Sequence, residues 1–429
     1  MTPAQIIIFG AAAGAIAGCF PGWHVLAVTA LVMPHLDAFP HAAYGAAAGF
    51  AGWAVTTTAP AFLLTAPDDG SFLMIDEAPD HVPERASPME LQKRLRAAAA
   101  GAATGIVTAA AIGMAWSWRI FLLEAVLRPH LHWIVLAWIG AATLHVFAPR
   151  DARPPRSFAA RRTFTRADAT RIAFLAAGVL GLLLQRYFPI HGRAIPAEWL
   201  AAWIGAFTCP PLLCRCIIAS RGKAVARRRK RPTDNAGPPF DDLTRPSPFA
   251  AAASAILGGG AAAAMPGCGS AAAAALTRLL HGGTTPTVFA QGATKGFFYA
   301  ALWFFAAAPI RPATAPAGPR GFYLPSVAVD FRLAATAMLV GLAVGGGFLW
   351  LVAQAARKAR PRLDPASRGA SATTLAVTVI GVVTLCGWQT LHLAAIGAAV
   401  GMLPYLFGGD VAVVANVMTF AAAGALAQG

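Results

Sequence analysis

The sequence contains few charged residues. Only 12% of its 429 residues are Asp, Glu, Lys or Arg, about half of the roughly 25% usual in soluble domains, whereas 57% are hydrophobic. The apolar residues occur in runs of about 20, the length that crosses a hydrocarbon core roughly 30 Å thick. The composition therefore predicts an all-α, polytopic membrane protein.

Acidic residues are scarcer than basic ones, 18 against 34, and the net charge is +16. The basic residues lie between the apolar runs, and the densest block, 221–231, directly follows the apolar segment 199–218. Cytoplasmic loops of membrane proteins carry their positive charge at such positions. We therefore expect a lipid bilayer as the partner, not a nucleic acid, and a multi-pass protein of the cell membrane.

Several chemical motifs are missing from the sequence. It contains no Gly-x-Ser-x-Gly, no His-Glu-x-x-His, no Walker loop and no C-x-x-C among its six cysteines. This predicts neither an enzyme nor an ATP-driven pump, with no resident metal or cofactor. The first apolar run has no preceding positive charge and no small-residue cleavage site, so we expect it to stay in the mature protein.

Long apolar segments follow one plan twice. A segment interrupted by Pro-Gly comes first, at 5–33 and again at 250–280, and five uninterrupted segments follow each of these. The plan predicts a first membrane repeat (1–218), a basic cytoplasmic linker (219–249) and a second membrane repeat (250–429). We expect the spans near 41–64, 98–118, 131–148, 171–189 and 199–218, and near 287–308, 331–354, 371–387, 390–407 and 410–428.

The two interrupted segments predict re-entrant hairpins. Pro21-Gly22 and Pro266-Gly267 lie at their centres, where Pro removes a backbone donor and Gly tolerates positive φ. Each arm of about 15 residues is roughly 22 Å long, too short to span comfortably. The alternative is that Pro-Gly merely kinks two long membrane helices.

The distribution of Lys and Arg favours hairpins. Four loops hold 24 of the 34 basic residues, and the loops expected on the opposite side hold five. This asymmetry requires five crossings in each half, and an odd number inserts the second half upside down, as in transporters with inverted repeats. The basic loops are 66–97, 149–171, 219–249 and 355–370, and the opposite loops are 119–130, 190–198 and 309–330.

Three motifs carry a resemblance to a known family: the Pro-Gly-x-His tip at 21–24, the Ala-Pro-Asp-Asp run at 66–69, and the Met-Pro-Gly-Cys-Gly-Ser tip at 265–270. Together they resemble the large membrane subunit of the tripartite tricarboxylate transporters, the TctA-like permeases, particularly their archaeal-type branch. The chain departs from the family pattern at Leu26 and at 282–286.

The resemblance implies a permease of organic anions in which both hairpins help to form the substrate and coupling-ion sites. In bacteria such permeases work with a small membrane subunit and a periplasmic binding protein, which the archaeal-type branch lacks. A homodimer is a further assembly that we consider.

Candidate substrate-binding residues lie at the two tips, because backbone N–H groups at helix N-termini favour anions. Either tip could equally be a packed tight turn, and His24 a buried neutral histidine. The candidates are Pro21, Gly22, Trp23, His24, Pro266, Gly267, Cys268, Gly269 and Ser270.

Lys295 is the single lysine inside an apolar span. It shares one helix face with Thr287, Gln291 and Tyr299, and a charge within a membrane usually faces a cavity or a partner. We therefore add Lys295 and Gln291 to the candidate substrate site. The alternative is that Lys295 snorkels to the interface.

Hydroxyl groups near the tips are candidate ligands of a coupling ion, sodium or a proton. Threonine is also common in membrane helices, where it satisfies backbone groups. Asp68 and Asp69 are candidates for a gate at the membrane boundary, although Pro-Asp-Asp-Gly is also typical of a solvated turn. The threonines are Thr56, Thr57, Thr58, Thr284, Thr285 and Thr287.

The sequence thus predicts a secondary transporter of small organic anions, di- or tricarboxylates, that is driven by an ion gradient and works by alternating access. Two alternatives stay open: a translocase for polyprenyl-phosphate or another phosphate-headgroup lipid, and a non-transporting membrane scaffold.

Overall fold

The structure is a computed structural model that describes most of the helical part of the chain. The described residues are 2–23, 25, 41–64, 66–68, 70–74, 88–116, 130–147, 166–189, 196–225, 248–264, 270–280, 288–307, 330–359, 368–407, 413–414, 417 and 420. Within these ranges the ordered elements are helices, and no strand occurs. The predicted all-α class is confirmed.

Seven helices lie in the described part of the first half of the chain. They are α1 (Pro3–Gly18), α2 (Ala42–Thr56), α3 (Pro88–Trp116), α4 (Leu131–Phe147), α5 (Arg166–Tyr187), α6 (Ala197–Phe207) and α7 (Cys209–Val225). A wide helical turn, Pro60–Leu64, continues α2, and a short 3-10 turn, Phe72–Met74, precedes α3.

The described helices of the second half follow a similar order. They are α8 (Pro248–Ser254), α9 (Ala261–Ala264), α10 (Ser270–Leu280), α11 (Val288–Ala307), α12 (Phe331–Ala359), α13 (Arg368–Cys386) and α14 (Leu391–Phe407). A wide turn, Ala255–Gly260, joins α8 to α9. Of the predicted last span, 410–428, only four residues are described.

Six described helices are long and apolar enough to cross a membrane: Ala42–Leu64, Gln92–Ala115, Ala167–Tyr187, Phe331–Ala356, Gly369–Cys386 and Trp388–Phe407. The bent pair α6 and α7 adds a seventh candidate. Since a bilayer core requires about 20 apolar residues per helical crossing, the chain is a multi-pass helical membrane protein.

Four helices form the centre of the bundle. α2 packs against α12, α3 packs against α11, and α2 also contacts α11. Glycines line the first two contacts, where a larger side chain would meet the opposing backbone: Gly341 and Gly345 on α12, and Gly101 and Gly105 on α3. Helices associate in a membrane through close packing of this kind. Lipid tails are as apolar as the helix surface, so the hydrophobic effect does not drive one helix onto another.

The first Pro-Gly segment ends α1 as predicted. The helix stops at Gly18, and residues 19–22 form a turn in which Gly22 has φ of 80°, a conformation that L side chains rarely adopt. The turn packs against α13, where Thr378 lies beside Gly22 and Gly381 lies beside the Trp23 ring. The second arm predicted for this segment lies mostly outside the described residues.

The second Pro-Gly segment also interrupts a helix. The Pro266-Gly267 tip lies outside the described residues, but the helices on both sides of it are described. α10 contacts α9 and the 255–260 turn, and Thr277 lies against Gly258. Residues 19 positions apart would be roughly 28 Å apart in one continuous helix, so the two arms lie side by side.

The segment predicted as one span at 199–218 is bent. α6 ends at Phe207, α7 begins at Cys209, and their axes differ by 42°. Pro210 and Pro211 account for the bend, because neither has an N–H for the carbonyl oxygen four residues earlier. α7 also runs on to Val225, beyond the predicted domain boundary at 218.

Candidate functional site

Lys295 lies at the centre of the described bundle. It is on α11, seven residues after Val288 and therefore roughly 10 Å along the helix. Its side chain is 1% exposed, which excludes the snorkelling alternative. The ammonium group donates to Thr57 Oγ1 at 2.9 Å and to Asp68 Oδ1 at 3.0 Å, and it lies 2.9 Å from Asp68 Oδ2.

Asp68 is held in place by the turn that follows α2. Its backbone N–H donates to Ser71 Oγ at 3.0 Å, and the Ser71 N–H donates to the Asp68 carbonyl at 3.2 Å. The Ser71 hydroxyl also donates to the Asp68 carboxylate. The predicted turn chemistry is therefore present, but the Asp68 side chain is only 14% exposed and forms a buried ion pair.

Aromatic rings connect this ion pair to the first helix break. The Lys295 ammonium lies 5.0 Å from the centre of the Trp53 ring, within the range of a cation–π interaction. Trp53 Nε1 donates to the Trp23 carbonyl at 2.8 Å, so Trp53 spans the distance between the tip and the lysine. The Trp23 N–H, which the sequence predicted as a hydrogen-bond donor to an anion, donates instead to the Phe20 carbonyl within its own turn.

The second helix break also lies close to Lys295. Ser270, the first residue of α10, forms a hydrogen bond of 2.9 Å with the Tyr299 hydroxyl. Gly70 lies between Ser270 and Lys295, because a Cβ on Gly70 would be 2.9 Å from Ser270 Oγ and 3.1 Å from Lys295 Cδ. Lys295 and the amino end of α10 are therefore close neighbours.

A pocket opens next to Asp68. Its empty space is about 440 Å³, which includes space open to the surroundings, and this size suits an ion or a small molecule. One charged side chain, Asp68, is among the described residues of its wall. The wall consists of Phe20, Pro21, Gly22, Trp23, Trp53, Thr57, Pro60, Ala66, Asp68, Leu200, Trp203, Ile204, Phe207 and Thr208.

The structure brings together seven of the residues predicted from sequence. Lys295, Asp68, Thr57 and Ser270 form or adjoin the ion-pair site, and the first tip contributes the rest to the pocket wall: Pro21, Gly22 and Trp23.

Three predicted residues lie apart from this cluster. The Thr56 and Thr58 hydroxyls donate to carbonyls of their own helix at Gly52 and Val55. Gln291 shares the buried face with Lys295 and reaches toward the Ala274 carbonyl of α10 at 3.5 Å. The other candidates lie outside the described residues: His24, Asp69, Pro266, Gly267, Cys268, Gly269, Thr284, Thr285 and Thr287.

Sequence reasoning missed Trp53 as the residue that joins the first tip to Lys295, and Thr208 as part of the pocket wall. The Cys-Pro-Pro sequence at 209–211, inside an apolar run, was the available signal for a third helix break at Thr208. No comparable signal marks Trp53, because a tryptophan in an apolar helix is ordinarily a packing residue.

The fold and the site together define a multi-pass helical membrane protein with a buried ion pair between interrupted helices. No protein family model, curated protein or solved structure matches this chain. The likeness to tripartite tricarboxylate permeases accordingly rests on the three sequence motifs and stays a prediction.

Proposed function

We propose that the protein is a secondary transporter of small organic anions, of the di- or tricarboxylate class, that works in the cell membrane and is driven by an ion gradient. The observation that carries this proposal is the buried contact of Lys295 with Asp68 among interrupted helices. Charged side chains are costly inside a bilayer, and where they occur they usually serve a substrate or ion pathway.

The surroundings of Lys295 favour an anion. The ammonium is the positive group of the site, and the amino end of α10 at Ser270 adds a partial positive charge and hydrogen-bond donors next to it. In the structure, the Asp68 carboxylate accepts a hydrogen bond from the Lys295 ammonium. A substrate carboxylate is chemically the same group, so it replaces Asp68 without leaving the lysine unpaired.

The packing of the helices supports an inverted repeat. In the order of the two halves, α2 corresponds to α11 and α3 corresponds to α12. The contact of α2 with α12 therefore has its counterpart in the contact of α11 with α3. In the same way, the contact of α1 with α2 corresponds to the contact of the 255–260 turn with α11. The glycine pair Gly101 and Gly105 has its counterpart in Gly341 and Gly345. Such repeats allow alternating access, because the two halves can exchange conformations around one site.

Re-entrant hairpins fit this architecture better than kinked crossings. The arms on either side of the second tip lie side by side, and α1 is only 16 residues long. A crossing of the hydrocarbon core requires about 20 residues. A small membrane subunit, a periplasmic binding protein and a homodimer enter the proposal through the family resemblance alone, and copurification would reveal them.

A thermal-unfolding screen of the purified protein tests substrate binding, with succinate, malate, citrate and a polyprenyl phosphate as the ligands. A ligand that binds only the folded state adds about 2.7 kcal/mol at a hundred times its Kd. We expect a carboxylate to stabilise the protein. Stabilisation by the polyprenyl phosphate alone would contradict the proposal and favour a lipid translocase.

A double variant and a matched control identify the binding residue. Lys295→Gln/Asp68→Asn removes both charges, so that neither is left buried alone, and it should unfold cooperatively without responding to carboxylates. Lys93→Gln changes an exposed lysine of α3 and should respond like the unmodified protein. A carboxylate response that persists in the double variant would exclude Lys295 as the anion partner.

A further inference from the structure

We propose that the pocket between the first helix break and the α6–α7 break binds a sodium ion, and that this ion is the one coupled to transport. The inference rests on the proposed transport function and adds the identity and the place of the coupling ion. Its ligands are the Asp68 carboxylate, the Thr57 and Thr208 hydroxyls, and backbone carbonyls at the α6–α7 break.

Helix ends add negative partial charge around the pocket. α1 ends immediately before the wall residues Phe20 and Pro21, and α6 ends at Phe207. Each is a carboxyl end, and a helix carries about half a negative elementary charge there. These two ends and the Asp68 carboxylate meet around one small space, and the described residues of the wall include no basic side chain, although Lys295 contacts Asp68 from outside the wall.

The α6–α7 break supplies oxygen ligands. Pro211 has no N–H for the carbonyl of Phe207, which is in the pocket wall, and Pro210 has none for the carbonyl of Ala206. The Ala206 carbonyl lies against Gly401 of α14. We therefore assign the Phe207 carbonyl, which belongs to a wall residue, as the oxygen ligand. Thr208, the next residue, belongs to the same wall and carries a hydroxyl.

The ligand set fits a hard, singly charged cation. One carboxylate with hydroxyl and carbonyl oxygens is typical of alkali-ion sites in broken membrane helices. A transition metal prefers nitrogen or sulfur ligands, and the described residues hold no cluster of three or more His, Cys, Asp or Glu side chains. A divalent ion would leave an excess positive charge beside Lys295.

Sodium binding explains how Lys295 becomes free for a substrate. In the structure, the Lys295 and Asp68 side chains neutralise each other. If a substrate carboxylate bound Lys295 and no cation bound Asp68, Asp68 would become an uncompensated buried charge. A sodium ion at Asp68 removes that charge. The pair thus opens into two neutral pairs, Lys295 with the carboxylate and Asp68 with sodium, and each ligand promotes the binding of the other.

The test is equilibrium binding of radiolabelled sodium to the purified full-length protein, measured with and without a saturating dicarboxylate. We expect saturable binding that Thr208→Val weakens roughly tenfold, as expected for the loss of one polar contact to a charge. Lys295→Gln/Asp68→Asn should abolish saturable binding while still unfolding cooperatively. Thr374→Val removes a buried hydroxyl of α13 that donates to its own helix, and this control should bind sodium normally.

The outcomes separate this inference from the transport proposal. A protein that binds carboxylates through Lys295 but shows no saturable sodium binding would overturn the sodium site and leave the transporter standing. Sodium binding of unchanged affinity in both Thr208→Val and the double variant would also overturn it. Sodium binding that Thr208→Val weakens, in a protein that binds no carboxylate, would support the site and contradict the proposed substrate.

Discussion

The two sides of the Lys295–Asp68 pair are built from the same element, an interrupted helix, yet they have opposite electrostatic character. On the side of the first break, the carboxyl ends of α1 and α6 lie at the wall of the pocket that contains Asp68. On the side of the second break, the amino end of α10 at Ser270 lies beside Lys295. The sign of the helix partial charge on each side of the pair therefore depends on which helix end lies there.

This difference gives the ion pair a physical meaning. A lysine and an aspartate buried together add little stability, because desolvation offsets most of their attraction, but they are costly to separate unless both are compensated. Each side of the site offers compensation for one of them. In the proposed transport function, the pair would hold the empty site neutral and open when an anion and a cation arrive together.

The largest effect should follow the removal of one charge alone. Lys295→Gln leaves Asp68 buried without its partner and should destabilise the protein by roughly 3–5 kcal/mol. Thermal unfolding in detergent measures this, with the double variant Lys295→Gln/Asp68→Asn recovering most of the loss. A single variant as stable as the unmodified protein would show that the pair is not the closed, neutral contact described above.

A smaller effect should follow a change in the shape of the first break. Gly22→Ala places a Cβ at φ of 80° and 2.9 Å from the Thr378 methyl, which should cost about 1–2 kcal/mol of unfolding free energy. Gly346→Ala is the matched control on α12, with nothing within 4 Å of the new Cβ, and should be neutral or stabilising. Equal stabilities would mean that the tip adopts another conformation.

Binding of the two ligands should be coupled. Saturating sodium should lower the Kd of a bound dicarboxylate by roughly tenfold, and the dicarboxylate should lower the Kd of sodium by the same factor, because linkage is reciprocal. Calorimetric titrations with each ligand in turn measure both factors. Independent binding of the two ligands would remove the reason for Lys295 and Asp68 to separate.

The two sides of the site should also respond to different mutations. Ser270→Ala should weaken carboxylate binding by roughly three- to tenfold through the loss of a hydroxyl near the anion, and should leave sodium binding unchanged when carboxylate is absent. Thr208→Val should do the reverse. If both variants weakened the same ligand, the two sides would form one site instead of two.

Much of the fold was predictable because membrane helices have a simple signature. Apolar length and helix breakers located α2, α5 and α12 close to their observed ends, and Pro21-Gly22 correctly ended α1. The bend at Thr208 was missed because the apolar run continues through it, although Pro210 and Pro211 mark it. The extension of α3 back to Pro88 lies in an amphipathic segment outside the apolar run.

The site was predictable residue by residue but not as an arrangement. Lys295 was recognisable from its depth in an apolar span, and Asp68 from its position after a span. Their contact joins positions 227 residues apart, and no local sequence pattern predicts it. The same holds for the hydrogen bond from Trp53 to the Trp23 carbonyl, which depends on how α2 packs beside the first tip.

Uptake of a labelled dicarboxylate into proteoliposomes tests the central claim most directly. With an inward sodium gradient, the unmodified protein should accumulate succinate, malate or citrate inside the vesicles. A sodium ionophore should collapse that accumulation, and Lys295→Gln/Asp68→Asn should show none. Failure of all three anions to accumulate, or equal accumulation by the double variant, would contradict the account.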